Sequence, residues 1–121
     1  MEIQKIEYEF SICKVADYAQ VDLEQEYCFI AKTEEEKSLV CISDSVPDNV
    51  LECNNGWKAF RIQGVLDFSL VGVLSRISTL LADSGIGIFA ISTYNTDYIL
   101  TRREHYDRAL RVLSQAGYRV I

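Results

Sequence analysis

Residues 64–101 read GVLDFSLVGVLSRISTLLADSGIGIFAISTYNTDYILT, and this stretch decides the fold. Apolar residues recur at three- and four-residue intervals from Leu70 to Leu81, which predicts an amphipathic helix with one face in the core. Asp67 or Ser69 suits the N-cap of this helix, and Gly85 suits the left-handed position just past its end. The apolar run 86–92 and the segment 97–101 then predict two strands joined by a polar turn.

The flanking segments complete a β-α-β-β-α-β order over residues 57–121. Residues 57–63 (WKAFRIQ) predict a strand before the helix. Thr101-Arg-Arg-Glu104 is a capping box that predicts a second helix ending at Gly117, before a short last strand over 118–121. The side chains expected to face inward from this second helix are Tyr106, Ala109, Leu110, Leu113 and Ala116. This order predicts an α+β, ferredoxin-like fold with an antiparallel sheet and both helices on one face. Strand 86–92, apolar on both sides, is expected to be central and covered.

The first half of the chain repeats this element order with its helices shrunk. Strands are predicted over 8–15, 27–33 and 38–43, the last two forming a hairpin. Asn54-Asn55-Gly56 is the strongest turn signal in the chain and predicts a boundary between two subdomains. We therefore expect a tandem arrangement, with a degenerate subdomain over 1–56 and a complete one over 57–121.

Composition excludes several classes of function. The chain has 121 residues, of which 49% are hydrophobic and 25% charged, as in ordinary globular proteins. The net charge of −6 and the scattered basic residues disfavour nucleic acid and anionic membrane surfaces as partners. No apolar run approaches the roughly 20 residues that span a bilayer. The first residues lack the basic and apolar regions of a secretory signal, so a cytoplasmic protein is expected.

The four cysteines, Cys13, Cys28, Cys41 and Cys53, are spaced too widely for a zinc-binding CxxC motif. We expect neither a metal nor a cofactor. The first three lie among β-branched or aromatic neighbours, where a free cysteine behaves as a small buried hydrophobe. Reduced thiols agree with the cytoplasm.

Polar groups suited to small-molecule binding concentrate at two corners of the predicted fold. At the first corner, residues 64–67, a strand leads into a helix whose first N–H groups and dipole suit a carboxylate. Gly64 allows close backbone approach. Asp67 either binds a ligand ammonium group or only caps the helix, as aspartate commonly does.

The second corner is the hairpin tip at residues 92–97, which places six polar-capable side chains together. Asn and Thr favour turns in any protein, so a plain solvated turn is the alternative interpretation. The aromatic ring of Tyr94 and the carboxylate of Asp97 are not needed to form such a turn, which favours the binding interpretation. We expect the two corners to lie at opposite ends of one sheet, so that a complete site requires two subdomains or two chains.

An enzyme has little support in this sequence. His105, the only histidine, sits at the predicted start of the second helix, where no adjacent Ser or Cys offers it a nucleophile to activate. Gly85-Ile-Gly87 is no phosphate loop, because no helix follows it. No catalytic residue is predicted.

The segment WKAFRIQGVLDFSLVGVLSRISTLLADSGIGIFAISTYNTDYIL resembles the ACT domain family, and more closely the small bacterial tandem-ACT proteins. Those are similar to the CASTOR arginine sensors of animal cells. The resemblance implies a homodimer that binds a small effector, usually an amino acid, and regulates an unknown partner protein in trans. The alternative is a ligand-free oligomerisation module with the same fold. The positions matching the family's binding residues are Gly64, Asp67, Thr93, Tyr94, Thr96 and Asp97. Asp97 matches the carboxylate that faces the ligand in the arginine sensors.

Overall fold

A computed structural model describes residues 1–67 and 69–121, and within these ranges the chain forms two compact units. The N-terminal unit is Tyr8–Trp57, and the C-terminal unit combines Met1–Glu7 with Lys58–Ile121. The regular elements are β1 Glu2–Val15, β2 Cys28–Lys32, β3 Lys37–Ile42, β4 Val50–Ile62, α1 Val73–Asp83, β5 Phe89–Ser92, β6 Asp97–Arg102, α2 Tyr106–Gln115 and β7 Arg119–Val120. Short 3-10 turns cover Ser43–Ser45 and Arg103–His105. In the part of the chain so described, no helix has the length and apolarity needed to cross a membrane.

The C-terminal unit confirms the predicted α+β fold and the β-α-β-β-α-β order. Its strands lie in the order β7-β1-β4-β6-β5, and β5 pairs antiparallel with β6 from Phe89 opposite Leu100 to Ser92 opposite Asp97. One feature differs from the prediction. The first residues of β1 lie between β7 and β4, and β7 pairs parallel with them.

Both helices of this unit pack on a single hydrophobic core and contact each other, so they form one layer. The helix and strand side chains buried in this core include Phe60, Ile62, Ile77, Leu81, Ile99, Ala109 and Leu113. The predicted inward face of α2 is confirmed, with Tyr106, Ala109, Leu110 and Leu113 buried and Ala116 partly so.

The end of α1 follows the prediction and its start does not. Gly85 has a φ of 72°, and the next N–H, that of Ile86, donates to the Leu81 carbonyl at 2.9 Å, which closes the helix. The helix begins only at Val73, after Gly72 with a φ of 80°. A helix cannot run through that left-handed residue, so the predicted N-caps lie outside it.

Asp67 instead organises a turn ahead of the helix. Its carboxylate oxygen Oδ1 accepts a hydrogen bond from the Ser69 N–H at 2.8 Å, and its carbonyl accepts one from the Leu70 N–H at 3.0 Å. Leu70, predicted to belong to the core stripe, is 52% exposed as a result.

Two further sequence predictions are wrong for topological reasons. β5 is the outermost strand of its unit and three of its four residues are exposed, rather than central and covered. Its apolar composition carries no information about its place in the sheet. Thr101 caps no helix: it is fully buried within β6, and α2 begins at Tyr106 after the 3-10 turn.

The N-terminal unit has the strand order β2-β3-β1-β4, and the predicted β2–β3 hairpin is confirmed. An irregular segment and the 3-10 turn stand where the other unit has helices. Tyr18 from that irregular segment donates a hydrogen bond from its hydroxyl to the Ser38 carbonyl at 3.1 Å. Its ring packs against a small core of Cys13, Val15, Leu39 and Cys41.

Asn54-Asn55-Gly56 forms no turn, because it lies inside β4. An Asn-Gly hairpin turn requires a positive φ at both residues. Among the described residues only glycines have a positive φ, and here Gly56 alone does, at 84°. Residues 1–7, expected in the first subdomain, group with the C-terminal unit.

We expect the hydroxyl of Tyr106 to make the stability of the chain pH-dependent at alkaline pH. This hydroxyl donates to the Ala59 carbonyl at 2.7 Å, and burial raises the pKa of Tyr106 to about 12 from its ordinary 10.0. The unfolded chain therefore loses this proton first. The stabilisation is complete below pH 10 and is lost as the pH rises from 10 to 12.

Tyr106→Phe tests this expectation in urea unfolding at pH 7 and between pH 10 and 12. The free energy of unfolding at pH 7 should fall by about 1 kcal/mol, because the Ala59 carbonyl loses its donor. Between pH 10 and 12 the variant should lose less stability than the wild type. Tyr94→Phe, at a side chain that is 79% exposed, is the control. An unchanged pH dependence in Tyr106→Phe would contradict the assignment.

Candidate ligand-binding site

A pocket of about 360 Å³ opens in the C-terminal unit where three segments meet. These are the turn before α1, the first turn of α1 and the β5–β6 turn. The lining residues are Leu66, Asp67, Leu70, residues 72–75 and residues 92–97. Both polar corners of the sequence therefore line one pocket in one unit. The prediction that they lie at opposite ends of the sheet is wrong.

Strand direction explains why the corners meet. α1 carries the chain back along the C-terminal unit, so β5 runs in the same direction as residues 58–62 of β4 and ends at the same end of the sheet. The start of β6 lies at this end of the sheet too. There the Thr96 hydroxyl donates a hydrogen bond of 2.8 Å to the carbonyl of Ile62, the last residue of β4. The Leu66 N–H donates to the Asn95 carbonyl at 2.7 Å and joins the two corners directly.

The two threonines of the β5–β6 turn hold its shape. The N–H and the hydroxyl of Thr93 both donate to the Thr96 carbonyl at 2.9 Å. Thr96 is only 6% exposed, and its own hydroxyl is engaged with the Ile62 carbonyl. These side chains therefore fix the pocket wall, while Tyr94 stands exposed at its rim.

Two carboxylates are the charged side chains among the described lining residues, Asp67 and Asp97. Oδ1 of Asp97 accepts a hydrogen bond from the Ser92 hydroxyl at 2.5 Å, which orients the carboxylate. Hydrogen bonds from the backbone and side chain of Ser69 lower the pKa of Asp67 and favour its ionised form. The pocket thus carries negative charge without a basic side chain in its described lining, which favours a cationic group in a ligand.

The start of α1 supplies the opposite polarity. Gly72 is the N-cap, no side chain caps the helix, and the first intrahelical bond runs from the Arg76 N–H to the Gly72 carbonyl. The N–H groups of residues 73–75 therefore have no intrahelical partner, and they lie at the positive end of the helix dipole. A pocket with such donors in the first turn of α1 and one carboxylate on each of its two other segments matches a zwitterion.

The structure brings together five of the six predicted site residues: Asp67, Thr93, Tyr94, Thr96 and Asp97 all line the pocket. Gly64 does not, and its φ of 97° serves the backbone turn after β4. Gly72, which sequence reasoning missed, takes the place expected for Gly64. A glycine that interrupts a helical pattern was the available signal.

Several known proteins are similar to this chain in sequence or in fold. A family model described as ACT domain matches residues 52–115. A crystal structure of an Agobacterium tumefaciens protein superposes with a TM-score of 0.87 at 27% identity, over 99% of this chain and 91% of that one. No curated protein sequence matches the chain.

Two other solved structures are similar in fold. A Vibrio cholerae protein of unknown function, described as a possible transport protein, has a TM-score of 0.75 at 22% identity, over 93% of this chain and 86% of that one. The ligand-free regulatory subunit of aspartate kinase from Thermus thermophilus has a TM-score of 0.66 at 12% identity, over 97% of both chains.

Proposed function

Because the chain belongs to the ACT domain family, we propose that it is a cytoplasmic regulatory protein that binds an amino acid and acts on a partner protein in trans. The observation that carries this proposal is the pocket that combines Asp67 and Asp97 with the first N–H groups of α1, which have no intrahelical partner. Its volume of about 360 Å³ suits a small molecule. The fold shared with a regulatory subunit of aspartate kinase supports a regulatory role.

The polarity of the pocket sets the orientation of the ligand. The ligand carboxylate accepts hydrogen bonds from the N–H groups of residues 73–75, where the helix dipole stabilises an anion. The α-ammonium group binds Asp97, which the Ser92 hydroxyl holds in place. Asp67 leaves a second negative charge for a cationic side chain, so lysine and arginine fit better than neutral amino acids.

Ligand binding changes how firmly three segments are held together. The turn before α1 and the β5–β6 turn are joined by the hydrogen bond from the Leu66 N–H to the Asn95 carbonyl. A ligand that contacts both walls adds further links. Leu70 in the pocket lining is 52% exposed, and the next residue, Val71, is 91% exposed. The ligand covers or reorients these apolar side chains, and this is the change that a partner protein reads.

The sheet edge favours a homodimer and also the second candidate function. β5 is the outermost strand, with Phe89 and Ala90 exposed, and such an edge accepts another strand. A second copy of the chain pairing there would make a dimer without any ligand. A ligand-free oligomerisation module would keep the same assembly state with and without amino acids and would tolerate loss of Asp97.

A thermal-unfolding screen of the twenty amino acids tests the proposed function. Lysine or arginine should raise Tm by several degrees, because a ligand at 100 times its Kd stabilises the folded state by about 2.7 kcal/mol. Norleucine, which has a similar side chain without the cationic group, should raise Tm less than lysine does. Cadaverine, which lacks the carboxylate, should also raise Tm less. A screen in which no amino acid moves Tm removes the sensor function.

A further inference from the structure

A pair of thiols lies apart from the ligand pocket, in the N-terminal unit. The sulfur of Cys13 in β1 is 3.4 Å from the sulfur of Cys53 in β4. The sulfurs of a disulfide are about 2.05 Å apart, so a small side-chain rotation brings these two atoms to bonding distance. Both cysteines are free thiols in this structure.

The two thiols differ in their access to solvent. Cys53 is exposed, and its Sγ donates a hydrogen bond to Oδ1 of Asn55 at 3.2 Å. Cys13 is 4% exposed and packs with Val15 and Leu39. Burial raises the pKa of the Cys13 thiol to about 12, so it stays protonated while Cys53 meets solutes first.

We propose that Cys13 and Cys53 form an oxidative modification site, at which a peroxide closes a disulfide within one chain. The Cys53 thiolate attacks one peroxide oxygen. The S–O bond forms, the O–O bond breaks, and the departing hydroxide takes the proton released by Cys53 to become water. The Cys13 thiol then passes its proton to the hydroxyl oxygen of this sulfenic acid as its sulfur attacks the Cys53 sulfur. The S–S bond forms, the S–O bond breaks, and the oxygen leaves as a second water.

Atoms and electrons balance in this reaction with hydrogen peroxide as the oxidant. Two thiols lose two electrons and two protons, and the peroxide is reduced to two waters. The proposal does not depend on the ligand pocket, and its test leaves that function untouched.

The other two cysteines provide an internal comparison. Cys28 and Cys41 are register partners in the β2–β3 hairpin. Cys41 is fully buried and Cys28 is half-buried, so this pair lacks an exposed thiol to react first. Burial also raises the pKa of Cys41 to about 11. We expect both to stay reduced under mild oxidation.

Peptide mapping tests the site directly. The reduced full-length chain is treated with a small excess of hydrogen peroxide, alkylated, and digested with trypsin and Asp-N. Asp-N cuts before Asp44 and Asp48 and so separates Cys41 from Cys53. We expect a linked pair of peptides covering residues 6–14 and 48–58, and loss of two of the four free thiols.

Two variants make the outcome decisive. Cys53→Ser changes an exposed side chain and should abolish the linked peptides while the protein stays folded by circular dichroism. Cys28→Ser should leave them unchanged. The proposal is overturned if the link involves Cys28 or Cys41, if it joins two chains, or if Cys53 proceeds to sulfinic acid while Cys13 stays reduced.

Discussion

Replacing Asp97 with asparagine is expected to weaken the binding of lysine or arginine by roughly 10- to 100-fold. A hydrogen bond to a charged group contributes about 1.5–3 kcal/mol, and this variant removes the charge while it keeps the shape. The asparagine side-chain oxygen still accepts from the Ser92 hydroxyl, so the β5–β6 turn keeps its conformation. The free energy of unfolding without ligand should therefore change little.

Isothermal titration calorimetry of Asp97→Asn beside Asp83→Asn measures this effect. Asp83 is an exposed carboxylate at the end of α1 and does not line the pocket, so its variant controls for the general loss of one negative charge. Wild-type affinity in Asp83→Asn with weak binding in Asp97→Asn would support the proposed contact. Equal affinities in the two variants would contradict it.

Leu81→Ala is expected to lower the free energy of unfolding by about 2–5 kcal/mol. Leu81 lies in α1, is fully buried, and packs in the core of the C-terminal unit with Ile77 and Phe60. Truncation removes several buried methyl and methylene groups and leaves a cavity that the two-layer core fills only in part. Urea unfolding without ligand measures the loss.

Leu70→Ala is the matched variant, because it makes the same chemical change at a residue of the same predicted stripe. Leu70 precedes the helix and is 52% exposed, so we expect a loss of about 0.5 kcal/mol or less. Similar losses at Leu70 and Leu81 would contradict the start of α1 at Val73 and favour the longer helix that the sequence pattern predicts.

Much of the C-terminal unit could be predicted because its local signals agree with its tertiary packing. The inward face of α2 follows from apolar spacing alone, and Gly85 and Gly117 end the two helices in the conformation that only glycine adopts easily. The strand–helix order then limits the sheet to a familiar arrangement.

The failed predictions share a physical origin, since each followed a local signal that another part of the chain overrides. Thr101 has the spacing of a capping box, yet it is buried in a strand. Asp67 and Ser69 are good N-caps, but Gly72 sets the start of α1. The apolar strand β5 suggests a central place, yet the chain topology puts it outermost.

The candidate site was predictable residue by residue but not as an arrangement. Asp67 and Asp97 are separated by 29 intervening residues, and only the common direction of β4 and β5 brings their segments to one pocket. Gly72 lies within the predicted helical pattern, but in the structure it sets the start of α1 and leaves the first N–H groups without a side-chain cap at the pocket wall.

The most direct test of the central claim is an NMR titration of the ¹⁵N-labelled full-length chain with L-lysine or L-arginine, whichever raises Tm more. The proposed binding mode predicts saturable shifts of the backbone amides of residues 73–75 and 92–97, and their loss in Asp97→Asn. Absence of saturable shifts, or shifts confined to Tyr8–Trp57, would contradict amino acid binding at this pocket.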